Sequence, residues 1–254
     1  MDIAYEILGR GERTVVYLHG LLLDSGVNRG LATELAGAGY RVVLLDLPGH
    51  GRSAKPATPA AHRIEAYSAT VLGLLEVLEI DRAVLGGMSL GANVALEAAS
   101  LVPERVAGLL LEMPVLVFAP VLLLASYASP LLSAVLRMGR LVPRDRLGTL
   151  GSVLGAFSLE PQGIAAVPKG VMTGSVVPQV TQRTSIRSPA LVIGHRSGRL
   201  HPLDDAVKLS RQLPRARMVE ARSILELRVA PERLMSEILA FLEEAFCQLA
   251  ELAG

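Results

Sequence analysis

Apolar residues in this chain fall into short continuous runs, separated by longer segments in which they recur every three or four positions. Thr14-Val15-Val16-Tyr17-Leu18, Arg41-Val42-Val43-Leu44-Leu45, Ala83-Val84-Leu85, Val106-Ala107-Gly108-Leu109-Leu110-Leu111, Pro189-Ala190-Leu191-Val192-Ile193-Gly194 and Ala216-Arg217-Met218-Val219-Glu220-Ala221 read as strands. Most are apolar on successive positions, the pattern of strands buried on both faces. Residues 3 to 8 read as a short edge strand, and the turn Gly9 to Arg13 predicts a hairpin with the strand that follows. Helical spacing marks residues 31 to 38, which stop at Gly39, and residues 62 to 79, where Ile64, Tyr67, Val71, Leu74, Leu75 and Leu78 share a face. It also marks residues 92 to 99 and residues 231 to 249, the latter opening on Pro and Glu. Strands alternating with helices predict an α/β domain: a mostly parallel sheet with helices on both faces and ligands at the carboxyl ends of the strands.

Composition narrows the functional classes. At 254 residues the chain is long enough for one large α/β domain carrying an insertion. Its 25 basic and 24 acidic side chains leave a net charge of +1 with no basic run, so charge-driven binding to nucleic acid or an acidic membrane is not indicated. The lone cysteine, Cys247, makes no internal disulfide, and the first residues show neither a basic n-region nor an apolar h-region. Both point to a cytoplasmic location.

Four polar clusters fall where strands end: His19-Gly20, Asp46-Leu47-Pro48, Ser89 and Glu112. Ser89 is the centre of Gly87-Met88-Ser89-Leu90-Gly91, between a strand and a helix. Such a turn needs glycines on both sides so that neighbouring backbone can approach, and it stands the hydroxyl at the strand's end as a nucleophile. Leu90 then offers its backbone N–H at a helix start, where a developing oxyanion is stabilised. Leu21 is the candidate second donor, with Leu22 as the alternative. The residue types of His19, and of Asp46 with His50, favour local hydrogen bonding in turns over catalysis.

His19-Gly20, the run Asp46-Leu47-Pro48-Gly49-His50-Gly51-Arg52-Ser53 and Gly87-Met88-Ser89-Leu90-Gly91 together resemble the α/β-hydrolase superfamily. The likeness is strong over the first 112 residues and looser over residues 189 to 250. It implies an α/β-hydrolase fold with core segments 1–112 and 189–254 and a helical cap at 113–188. It also implies a Ser, His and acid mechanism with no metal and no organic cofactor.

The resemblance places the acid near Ser197 or Gly198 and the base after the last strand, yet this chain has no carboxylate at the first and no histidine at the second. Glu112, which ends the strand after the nucleophile helix, is the candidate acid, with Asp204 and Asp205 as alternatives. His201 is the candidate base, with His195 and His50 as alternatives and the lack of a conventional base as a further reading. Residues 113 to 136 contain no charged side chain. Pro120 and Pro130 break that run, so it reads as an apolar cap and not a membrane span. Phe118, Tyr127, Met138 and Phe157 are its candidate pocket residues. The expected activity is serine hydrolysis of a small apolar ester, thioester or lactone. A non-hydrolytic enzyme of the same fold and a ligand-binding module with a degenerate site are the rivals, and an exposed apolar cap would suit a homodimer.

Overall fold

The computed structural model describes residues 1–116, 161–196 and 201–253. Seven strands form one sheet in the order β1-β3-β2-β4-β5-β6-β7: β1 Tyr5–Leu8, β2 Thr14–Leu18, β3 Arg41–Leu45, β4 Ala83–Met88, β5 Val106–Glu112, β6 Ala190–His195 and β7 Ala216–Ala221. All neighbours run parallel except β1, which pairs antiparallel with β3, Tyr5 opposite Leu45. The predicted hairpin between β1 and β2 is therefore absent, because β3 lies between them. The link passes over the turn before β3, so closely that a Cβ on Gly11 would sit 1.9 Å from the Gly39 carbonyl oxygen. Consecutive strands joined by a turn need not pair when a third strand fits better between them.

Side chains alternate across the sheet, and each face has its own core. On one, Val16, Leu18, Leu85, Leu109 and Val192 pack under α2 (Ile64–Val77), α3 (Leu90–Leu101) and, further along the chain, a helix at Leu203–Gln212. On the other, Val15, Tyr17, Leu44, Leu110 and Leu191 meet α1 (Arg29–Gly37) and the long helix Glu232–Ala253. Burial on both faces explains why the central strands read as unbroken apolar runs.

The segment 113–188 leaves the sheet between β5 and β6. Its described parts are 113–116 and 161–188, which hold α4 (Pro161–Met172) and α5 (Val180–Ser185). The pocket residues expected from sequence, Phe118, Tyr127, Met138 and Phe157, lie outside the described residues. Asn93 on α3 fastens both ends of the segment: its amide Nδ2 donates to Val115 O at 2.8 Å and to Val176 O at 3.0 Å, while its Oδ1 accepts from Val115 N–H at 3.2 Å. Among the described residues, no helix is long and apolar enough to cross a membrane. Three helices complete the chain: α6 (Leu203–Gln212), α7 (Glu226–Val229) and α8 (Glu232–Ala253).

Candidate active site

β4 delivers Ser89 into a turn so sharp that its φ is +52° and ψ is −112°, a left-handed backbone that a non-glycine residue adopts only when its surroundings impose it. Those surroundings are visible. Ser89 N–H donates to Glu112 O at 2.8 Å, and Ser89 O accepts from Asn93 N–H at 3.1 Å as α3 begins. The flanking glycines are required by space: a Cβ on Gly87 would lie 2.7 Å from Leu18 O, and one on Gly91 would lie 2.6 Å from the same oxygen. Gly91→Ala is therefore expected to destabilise the fold by about 1–3 kcal/mol through overpacking. Urea unfolding checks this, and an unchanged midpoint would show that the turn yields freely.

His201 comes from the loop before α6, 112 residues away in sequence, and places Nε2 2.8 Å from Ser89 Oγ. For the hydroxyl to donate, Nε2 must carry the lone pair, so the ring proton sits on Nδ1. Burial, reinforced by the neighbouring His195, pushes the His201 pKa down to about 4, against the opposing charges of Glu112 and Asp205. The ring is thus neutral at pH 7, as a base must be.

Leu90 opens α3, so its N–H has no acceptor within the helix. Leu21 lies in the turn closed by Leu23 N–H donating to Gly20 O at 3.2 Å, with Leu22 next to it at φ +66°. Fully buried His19 ties this turn to the next loop. Its Nε2 accepts from Leu47 N–H at 3.0 Å, which leaves Nδ1 protonated to donate to Gly20 O at 2.8 Å. Burial lowers its pKa, although the Gly20 bond opposes that.

Asp46 similarly builds its own loop, accepting from Ser25 N–H at 2.7 Å and Arg52 N–H at 2.9 Å. Burial alone would raise its pKa, but those bonds outweigh it and hold the carboxyl below its ordinary value. His50 is buried with Nδ1 at Pro48 O, 3.1 Å away. Burial first, and then His19, pushes its pKa down to about 3. Neither residue contacts Ser89 or His201 by a hydrogen bond.

Glu112 is buried beside β4 but does not hydrogen-bond to His201. One oxygen accepts from Tyr17 OH at 2.8 Å and the other from Arg228 on α7. Arg228 also donates to Asn28 Oδ1 at 3.1 Å and reaches Met88 Sδ at 3.2 Å, immediately before Ser89. Burial would lower the Arg228 pKa, yet Glu112 and Tyr17 more than offset it and raise it. Burial chiefly, and then Glu112, raises the Tyr17 pKa well above its ordinary value. Asp205 is buried and occupied, accepting from Leu116 N–H at 2.9 Å, and Asp204 sits with it in the first turn of α6. Among the described residues, no carboxylate hydrogen-bonds to the His201 ring.

Sequence reasoning did not single out Tyr17, Arg228 or Asn93. Tyr17 carries a signal, since a buried phenol in an apolar strand needs a partner for its hydroxyl. Arg228 occupies the stretch after the last strand where a histidine was expected, and only the fold brings it to Glu112. Among the described residues, no group of three or more His, Cys, Asp or Glu is placed to hold a metal ion.

Comparison with known proteins agrees with this architecture. A family model described as the alpha/beta hydrolase fold matches residues 13–161. A 2-hydroxy-6-oxononadienedioate/2-hydroxy-6-oxononatrienedioate hydrolase from Cupriavidus pinatubonensis is 32% identical over 237 residues, 83% of this chain and 79% of the relative. The acetyltransferase component of the acetoin cleaving system of Pseudomonas putida is 44% identical over 108 residues, 41% of this chain. The chain spans only 28% of that relative's length, and 34% of a Mycobacterium phage D29 relative. Among solved structures, the enol-lactonase from Burkholderia xenovorans LB400 superposes with a TM-score of 0.79 at 20% identity, covering 95% of this chain and 96% of that one.

Proposed function

Because the chain belongs to the alpha/beta-hydrolase family, we propose that it is a serine hydrolase in which Ser89 is the nucleophile and His201 the base. The observation that carries this reading is the 2.8 Å contact between His201 Nε2 and Ser89 Oγ at a positive-φ turn. Ser89 Oγ attacks a carbonyl carbon as its proton passes to Nε2. The N–H groups of Leu90 and Leu21 receive the negative charge that develops on the carbonyl oxygen. The proton on Nε2 then goes to the leaving group, and water repeats the sequence to free Ser89. Glu112 acts on His201 through space, its oxygens being committed to Tyr17 and Arg228.

The absence of any charged side chain in residues 113–136 supports an apolar acyl substrate: an ester, thioester or lactone. A second reading rests on the Cupriavidus relative: hydrolysis of an oxo-diacid like the one in that protein's name. Turnover of such a diacid in preference to simple esters would select it.

The test is fluorophosphonate labelling followed by intact mass, across pH, on protein that keeps its far-ultraviolet circular dichroism. A base protonates as pH falls through its pKa, so labelling is expected to hold well below the ordinary histidine range and to fall only near pH 4. A single adduct with that limb supports the mechanism. No adduct on folded protein overturns it in favour of a non-hydrolytic or ligand-binding role.

A further inference from the structure

His201 has one unmet requirement. Its Nδ1–H must be held in line while Nε2 takes the serine proton, and no described carboxylate accepts from it. Beside it among the described residues is the ring of His195, at the end of β6, with centroids 6.2 Å apart and planes at 64°. His195 is only 3% exposed, and neither of its ring nitrogens has a hydrogen-bond partner among the described residues. A buried imidazole with two unpaired nitrogens is costly, since burial removes water that nothing replaces. A phenyl ring would fill the same space without that penalty. Packing therefore gives no reason for a histidine here, whereas an acceptor for His201 does.

The groups around the two rings are Glu112 from β5 and Asp205 from α6, with Arg228 from α7 behind Glu112. Neither carboxylate hydrogen-bonds to His201: Glu112 binds Tyr17 and Arg228, and Asp205 accepts the Leu116 N–H on Oδ2. Of these groups, His195 is the one with no hydrogen-bond partner among the described residues.

We propose, resting on the Ser89–His201 reading, that His195 is the positioning residue for His201. As the proton of Ser89 Oγ moves to Nε2, the Nδ1–H of the resulting imidazolium donates a hydrogen bond to a ring nitrogen of neutral His195. No proton passes between the rings; the one on Nε2 continues to the leaving group. The rings are not hydrogen-bonded in the resting structure, and a small side-chain rotation closes the gap, as catalytic contacts commonly tighten only with substrate bound.

The experiment measures fluorophosphonate labelling rates and melting temperatures for the wild type, His195→Phe and His195→Gln. Phenylalanine removes the acceptor and the unpaired nitrogens together, so it is expected to slow labelling about 100-fold while raising the melting temperature by about 2–4 °C. Glutamine restores an acceptor oxygen and is expected to label within about tenfold of the wild type. Wild-type labelling by His195→Phe, equal slowing by both variants, or a lower melting temperature for His195→Phe would overturn the proposal. An unlabelled wild type would instead overturn the serine-hydrolase reading, and this one with it.

Discussion

Ser89→Ala is expected to lower turnover of an activated ester by about 10⁴- to 10⁶-fold, the loss seen when the nucleophile of a Ser–His pair is removed. The fold should change little, because the strained φ of +52°, the Ser89 N–H bond to Glu112 O and the Asn93 N–H bond to Ser89 O belong to the backbone and remain. His201→Ala is expected to cost a comparable factor. Because the two side chains act as one unit through the 2.8 Å contact, the double variant should be hardly slower than either single one. Steady-state rates on a p-nitrophenyl ester series measure all three. Turnover retained in Ser89→Ala within about tenfold of the wild type would mean that the serine hydroxyl is not the nucleophile.

The second large effect is on stability, and it arises behind Ser89. Arg228 and Glu112 are both nearly fully buried, their side chains 9% and 5% exposed. Removing one partner of a buried pair strands the other, at a cost of about 3–5 kcal/mol. For a protein whose total stability is about 5–15 kcal/mol, that is a large fraction. Arg228→Met, which leaves the Glu112 carboxylate with Tyr17 alone, should therefore lower the melting temperature by about 10 °C. Glu112→Met should be similarly damaging, because it strands the guanidinium. The double variant replaces the pair with apolar groups of similar length and should recover most of the loss. Urea unfolding of the four proteins gives the coupling directly, and additive single effects would show that the pair contributes little. Since Arg228 also touches Met88 Sδ, ester turnover should fall in both single variants as the end of β4 beside Ser89 loses its support.

These two effects separate what each level of description made legible. The sharp turn at Ser89 was readable because its geometry is local. A strand, two glycines forced by backbone approach to Leu18, and a helix start are all written within a few consecutive residues. The alternation of strands and helices was readable for the same reason, and the two-sided burial of β2 to β6 follows from their unbroken apolar runs. The helix over residues 62 to 79 was legible as a face, although the chain divides it into a 3₁₀ turn at Pro59–His62 and α2 proper.

Where the sequence reading met its limit, the deciding contact spans a large separation. The position of β3 between β1 and β2 depends on edge pairing across the whole sheet, which a turn at Gly9 to Arg13 does not encode. His201 was a candidate by elimination, and the contact with Ser89 across 112 residues is a product of the fold. Glu112 was picked for its place at a strand end. Its partners, Tyr17 from 95 residues before and Arg228 from 116 residues after, are brought to it only by strand order and the docking of α7. The sequence by itself determined the local geometry: which residues form strands, where the backbone must turn, and which side chain stands at the sharp turn after β4. The tertiary structure alone decided the pairings of buried polar groups, because a buried charge or imidazole takes whichever partner the packing of distant segments sets within reach.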